Sequence, residues 1–225
     1  MHFHLPKPLH GWREFAGEVG IIVLGVLIAL SAEQLVEWLH WRNQVADARR
    51  ALDGEVSYNV GAIAKRQQEG PCIDRRLQEI RALLTGGTSR VSEPRASLGQ
   101  PQLWRPRTNV WQAAMAGQVA GHMPLATRVA YAGLYDGFQW YAQKAADETD
   151  AWSVLAELDD PGALSAEDLA AVRQARSRAQ VAADKMNANL PKFVASAKAL
   201  GVKPAPIEET TLTANELRAL CRPLR

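Results

Sequence analysis

Only two cysteines, Cys72 and Cys221, occur in 225 residues. That is too few for a fold built on a disulfide framework and enough for a single bridge. Excess charge of either sign is missing too. Lysine and arginine number 26 against 24 acidic residues, so no nucleic acid or strongly acidic substrate is expected as a partner. Runs of β-branched residues are rare after residue 33, and no stretch alternates polar and apolar as a strand does. There is no Walker loop, no Gly-x-Ser-x-Gly elbow, no His-Glu-x-x-His pair, no dinucleotide fingerprint and no Cys-x-x-Cys. No catalytic residue, cofactor or metal site is therefore assigned, and the expectation is a protein that is not an enzyme. No internal repeat of fixed period is present. What dominates after residue 33 is alanine, leucine, glutamate, arginine and glutamine, a composition that favours helix nearly throughout.

One absence is local. Between Glu18 and Glu33 lie 14 residues without a charge. At ~1.5 Å per residue they make ~21 Å of helix, short of a ~30 Å hydrocarbon core. The flanks lengthen the segment: Phe15 and Ala16 on one side, Leu35, Val36 and Leu39 on the other. Trp12 precedes it, and Trp38 and Trp41 follow. Helical rise puts Trp12 and Trp38 ~39 Å apart, close to the separation of the two headgroup regions. Residues 14–41 thus read as a transmembrane helix, with Trp12, Trp38 and Trp41 as an interfacial belt. Glu14, Glu18 and Glu33 fall near the interfaces, where charge costs far less than at the midplane.

Two other readings of the segment remain. Lys7 and Arg13 make a basic start, and Ala29-Leu30-Ser31 before Ala32 is an acceptable signal-cleavage site. Against cleavage, Glu14 and Glu18 sit where a signal should be basic. The helical pattern also runs through the site into Glu33, Gln34, Leu35 and Val36 without a glycine or proline. A helix lying in the interface is the other possibility. Around the helix, Glu14, Glu18, Gly25, Ala29, Ala32 and Glu33 share one sector about 100° wide. Val19, Val23, Val26, Leu27 and Leu30 lie opposite. A small, acidic face of this kind suits close contact with another transmembrane helix, from a second copy or another subunit. Glycine and alanine are also simply frequent in membrane helices.

Lys7 and Arg13 on one side balance Arg42, Arg49 and Arg50 on the other, so the positive-inside rule is nearly silent. The cysteines tip the choice. A Cys72–Cys221 bridge would close a loop of roughly 150 residues, stabilise by ~5 kcal/mol in the chain-entropy model, and require an oxidising compartment. Two buried free thiols in a reduced cytosol are the alternative. The expected topology has the N-terminus in the cytoplasm and the C-terminal domain in the periplasm.

The expected division is a tail over 1–13, the membrane helix over 14–41 and a helical-bundle domain over 42–225. The first helix continues from Leu35 through Leu39, Val45, Leu52, Val56, Val60 and Ile63 to about Glu69, where Gly70 and Pro71 end it. A second helix covers 72–85, with Ile73, Leu77, Ile80 and Leu84 on one face. Residues 86–107, with Pro94, Pro101 and Pro106, read as a loop. Thr108 or Asn109 caps a short helix to about Val119. Pro124 opens a long helix to about Leu158, and residues 159–162 turn. Ser165 and Asp168 form a capping box for a helix to about Leu200, which Pro191 should kink or split. Thr213 and Glu216 form a second box for a last helix carrying Cys221. The fold class is all-α: an N-terminal transmembrane helix continuing into an extramembrane bundle whose long helices pair antiparallel.

Other clusters carry weaker signals. Glu37 and His40 have the spacing of half a di-iron site, but the chain lacks a second pair. His2, His4 and His10 read as a tail rather than ligands, and His122 as a loop or cap residue. Tyr131, Tyr135, Phe138, Trp140, Tyr141 and Trp152 suit core packing better than a ligand pocket. Arg173, Arg176 and Arg178 read as a solvated face.

The run Glu18-Val19-Gly20-Ile21-Ile22-Val23-Leu24-Gly25-Val26-Leu27-Ile28-Ala29-Leu30, with Glu33 and Trp38, resembles a family of uncharacterised bacterial single-pass inner-membrane proteins. These carry a glutamate, a Gly-[aliphatic]-Leu-Ile-Ala-Leu core and a polar-rich helix directly after it. Residues 7–15 are similar to the lead-in of alphaproteobacterial-type members. The likeness covers residues 11–42. It implies a bacterial inner-membrane protein with a helical domain and brings no catalytic residues. The functional expectation is a non-catalytic accessory or scaffold protein that docks on a partner membrane protein or complex through its membrane helix. The alternative is a membrane-tethered helical ligand-sensing module.

Overall fold

A computed structural model describes residues 11–85, 97–159, 164–208 and 211–224. Six helices follow one another: α1 (Trp12–Gln68), α2 (Gly70–Thr85), α3 (Asn109–Ala116), α4 (Leu125–Leu155), α5 (Ala166–Ala199) and α6 (Thr211–Cys221). Among the described residues there is no strand. The protein is all-α, with a long apolar N-terminal helix followed by a helical region. The chain forms two compact units, one ending at Asp47 and the other beginning at Ala48.

In the first unit, α1 is exposed along its aliphatic length, with Ile21 at 74% and Val36 at 68% of full exposure. In the second unit, the same helix turns one stripe inward. Leu52, Val56, Asn59, Val60, Ile63 and Arg66 are buried at three- and four-residue spacing. On α2 the buried face is Ile73, Leu77, Ile80 and Leu84, as the pattern predicts.

The centre of the second unit is α4 against α5. Tyr131, Tyr135, Phe138, Tyr141 and Trp152 of α4 are all buried. The α5 face is built of small residues, with Ala175, Ala179, Ala182, Ala183 and Ala197 buried. Large rings on one helix filling space left by alanines on the other give interior packing density. Phe193 of α5 completes the cluster, its ring centroid 5.7 Å from Phe138 and 6.2 Å from Tyr141. The aromatic spacing is thus core packing, with half-buried Trp140 at its edge.

Partner pairs give the helix directions. Gly137 and Phe138 meet Phe193, while Trp152 joins the cluster of Ala175 and Ala179, so α4 and α5 run antiparallel. Gly70 lies beside Asn187, and Gln180 donates to Asp74, so α2 and α5 are antiparallel as well. The expectation fails for α1 and α4. Asp53 meets Tyr131, Glu55 meets Tyr135 and Arg66 meets Glu148, a parallel order. Two helices and a loop intervene between them, so chain reversal does not dictate their direction.

Several ends behave as predicted. The Asp168 N–H donates to Ser165 Oγ at 3.1 Å and the Ser165 N–H to Asp168 Oδ2 at 2.8 Å, the full capping box. These bonds hold the Asp168 carboxyl below its usual range. Residues 97–108 carry no regular structure. Other ends differ. Pro191 does not split α5: it is exposed, while Leu190 and Phe193 beside it are buried and hold the helix across it. The third helix stops at Ala116, because Gln118 turns to φ 62°, and a 3-10 turn over Val119–His122 follows. Likewise α4 ends at Leu155, before a 3-10 turn over Ala156–Asp159. The Thr213 and Glu216 box, most of the 159–162 turn, residues 86–96 and the three N-terminal histidines lie outside the described residues or side chains.

Candidate functional site

Three places in the structure have unusual chemistry. The first is the apolar part of α1, long and apolar enough to cross a membrane, with its most apolar window unburied among the described residues. Glu14, Glu18, Gly25, Ala29, Ala32 and Glu33 are all exposed on it. The Ser31 hydroxyl donates to the Leu27 carbonyl at 2.7 Å, so this polar group inside the apolar run is satisfied by its own helix. Toward the end of the run, the Arg42 guanidinium lies 5.3 Å from the Trp38 ring centroid, and Trp41 donates to Glu37 at 3.4 Å. His40 pairs with Gln44 at 2.8 Å. Glu37 and His40 are thus engaged along their own helix, and no cluster of metal-ligating residues occurs among the described residues.

The second place is the C-terminal clamp. The Cys72 and Cys221 sulfurs lie within disulfide-bonding distance, with Cα atoms 4.8 Å apart. Beside them two guanidiniums take the carbonyls that end α6. Arg75 donates to the Cys221 carbonyl. Arg76, fully buried, donates to Ala219 and Leu220 at 3.0 Å, to Ser97 at 3.1 Å and to Arg222. A cation at a helix C-terminus meets both the free carbonyls and the negative end of the helix dipole. Burial pulls Arg76 below the usual guanidinium range, and Glu79, 3.3 Å from its Nε, works against that. Asp159 ties the loop in by accepting from Ser97 Oγ at 3.0 Å and the Leu98 N–H at 2.8 Å. Gly99 follows at φ +62°, and a Cβ there would stand 2.8 Å from the Leu220 nitrogen. Only glycine fits that approach.

The third place is the polar seam between α1, α4 and the loop over 97–108. Glu55 of α1 caps α3 from a distance. Its carboxylate accepts from the Val110 N–H at 3.1 Å, the Trp111 N–H at 3.4 Å and the Tyr135 hydroxyl at 2.6 Å. Thr108 therefore does not cap α3 through its side chain. Asn59 pairs with both backbone groups of Arg107, at 2.7 and 2.8 Å. Further along, Arg66 Nη2 donates to both oxygens of Glu148 at 2.7 and 2.8 Å, with both side chains nearly fully buried. Glu69 Oε2 lies 4.0 Å from Arg66 Nε and accepts the Gln102 N–H at 3.3 Å. Burial raises the Glu148 and Glu69 carboxyls, and Arg66 opposes the shift in both.

A cavity of about 290 Å³ opens at this point, lined by Arg66, Gln102, Trp104, Tyr141, Glu148 and Trp152 among others. Arg66 Nη1, Trp104 Nε1 and Trp152 Nε1 are buried and have no hydrogen-bond partner. Of these residues, sequence patterns single out only Tyr141 and Trp152. A larger open groove of about 580 Å³ is lined by Tyr135 and Phe138, but the Tyr135 hydroxyl is already engaged by Glu55. Arg173 and Arg178 are exposed and Arg176 half-buried, a solvated face. Comparison of the chain with protein-family models, curated proteins and solved structures gives no match.

Proposed function

We propose that this is a non-catalytic accessory protein of a bacterial inner membrane, anchored by residues 14–41, with its bundle in the periplasm. One observation carries the reading. From Val19 to Val36, eleven valine, leucine and isoleucine side chains lie in succession with 40% or more of their surface exposed. Leaving them in water forfeits on the order of 10 kcal/mol, as much as a whole domain's stability. Lipid removes that cost. The interfacial tryptophans and the likeness of residues 11–42 to single-pass inner-membrane proteins support the same placement. The cysteine pair at bonding distance favours the oxidising side for the bundle.

The partner is a second transmembrane helix. Glu14, Glu18, Gly25, Ala29, Ala32 and Glu33 share one small, acidic sector of the span, which Ile22 and Val36 also enter, and small residues let backbones approach in lipid. The role is geometric: the span docks in the bilayer and presents the bundle to the complex it joins. Crosslinking in intact membranes, then purification in mild detergent, tests this. A stoichiometric membrane protein should be captured by the wild type and lost in a Gly25→Leu, Ala29→Leu double variant. Equal capture by both, or no crosslinked partner, contradicts the docking role.

A further inference from the structure

The longest stretch of the chain without aspartate, glutamate, lysine or arginine is not the apolar helix. It runs for 20 residues, from Thr108 to Thr127. It folds as α3, the 3-10 turn after it and the start of α4. Ala114, Ala120 and Met123 are buried and hold it to the second unit. Met115, Leu125 and, one turn further on, Val129 are 53%, 64% and 59% exposed. Outside α1, the described residues have only two other large apolar side chains so exposed, Leu103 and Val181. Single exposed leucines are ordinary, but three on one uncharged segment mark a surface with a use.

The place of this segment follows from α1. Asp53 and Glu55 accept from the Tyr131 and Tyr135 hydroxyls, so α4 runs parallel to α1. Leu125 lies six residues before Tyr131, and Ala48 five before Asp53. At ~1.5 Å per residue the two stand at about the same height. Glu55 also takes the first N–H groups of α3, so α3 and the turn after it lead from that level to Leu125. The uncharged segment therefore covers the end of the second unit at which its chain begins. Ala48 is seven positions from Trp41, a link that reaches ~25 Å at most. With residues 14–41 across a bilayer, that link keeps this end by the headgroups, whereas Trp152 is ~40 Å of α4 further on. Charge agrees. No acidic residue occurs from Ser97 to Tyr135, and Arg49, Arg50 and Arg128 lie near the same height. Asp53 and Glu55 there are engaged by tyrosine hydroxyls. Exposed aliphatics rimmed by arginines suit a face set in a lipid interface.

We infer that this end of the bundle rests in the bilayer surface, with Met115, Leu125 and Val129 among the lipids. The contact requires the anchor, and the test separates the two. The full chain is reconstituted in vesicles of phosphatidylcholine and phosphatidylglycerol, and its retention is checked by flotation after alkaline carbonate. Met115→Cys, Leu125→Cys and Val181→Cys are labelled without reductant with an environment-sensitive fluorophore. Val181 is the control, similarly exposed but beside Asp147 and Asp150. Lipids carrying a nitroxide on the acyl chain then quench any label they touch. Labels at 115 and 125 should lose most of their fluorescence, and the label at 181 should keep it. Nitroxides high on the chain should act more than deep ones, because an interfacial face sits about 5–10 Å into the boundary. Met115→Glu with Val129→Glu should remove most of the quenching at 125, which mere tethering near the membrane would not show. Suppose the chain floats with the vesicles, but 115 and 125 are quenched no more than 181, or are shielded from water without quenching, as by a second copy. The contact is then wrong while the anchor stands. Quenching at 125 that the two glutamates leave unchanged also overturns it. Release by carbonate removes the anchor and this contact with it.

Discussion

Replacing Gly61 by alanine pits two effects against each other within one residue. Alanine is the better helix former by about 1 kcal/mol. At Gly61, though, a Cβ would stand 2.1 Å from the Ala205 carbonyl oxygen and 3.1 Å from the Ala205 carbon and nitrogen. All three are backbone atoms, so no side-chain rotation relieves the clash. The segment around Ala205 has to leave α1. That breaks the bond from the Ala205 N–H to the Ser57 carbonyl at 2.9 Å and from Ser57 Oγ to the Lys203 carbonyl at 2.7 Å. Two hydrogen bonds at about 1 kcal/mol each, plus about 1–3 kcal/mol of strain, outweigh the helix gain. The net cost is about 2–4 kcal/mol, which lowers Tm by roughly 5–12 °C. Gly54 is the control, since nothing lies within 4 Å of a Cβ built there, so Gly54→Ala should be neutral or stabilising by up to about 1 kcal/mol. Thermal unfolding of the full chain, followed by far-UV circular dichroism in detergent, measures both. If Gly61→Ala melts with or above the wild type, the packing of residues 202–206 on α1 is wrong.

Three further outcomes are expected. Arg66→Met leaves Glu148 and Glu69 buried without their main cation and should cost about 3 kcal/mol at neutral pH. Burial already raises both carboxyls, and a raised folded pKa gives stability that is fully present below the unfolded value and lost as pH rises through the folded one. Removing Arg66 raises them further, so the variant's urea midpoint should fall more steeply than the wild type's from about pH 4.3 upward. A pH-independent gap, or an Arg66→Met, Glu148→Leu double variant no more stable than the single, would contradict the pairing. Cys72→Ser should lose up to about 5 kcal/mol for a bridge spanning a separation of 149 residues. Reductant should bring the wild type to the same melt and leave the variant unmoved. Three of the four tyrosines should ionise late: burial raises Tyr131 to about 12 and lifts Tyr135 and Tyr141 as well. The stability they contribute is complete below pH ~10 and is lost above it. Absorbance at 295 nm should then show most of the tyrosinate signal only with alkaline unfolding, and an ordinary titration in the native state would refute their burial.

Much of the fold is legible in residue spacing because helices repeat every few residues. The stripe on α2, the Ser165 and Asp168 box and the boundary at Gly70 and Pro71 all depend on near neighbours. With two cysteines only one pairing exists, so Cys72 and Cys221 were readable despite their separation. The polar seam was not. Glu55 caps a helix that begins 54 positions later, and Arg66 meets Glu148 across 82 positions. A trace of each is present in the pattern. Asn59 and Arg66 continue the stripe of Leu52, Val56, Val60 and Ile63, and Glu148 lies on that of Phe138, Tyr141, Ala145 and Trp152. A polar residue on an apolar stripe announces a buried group that needs a partner. It does not say which partner, because α1 and α4 run parallel and local order carries no register between them. Trp104 sits in an irregular loop, where periodicity is silent.

The most direct test of the membrane placement is alkaline carbonate washing of membranes from cells producing the full chain, with the mass of the retained species measured. The 24.7 kDa chain should stay in the pellet with its first 31 residues present. Recovery in the supernatant, or of a shorter chain starting at Ala32, would contradict an anchor across the bilayer.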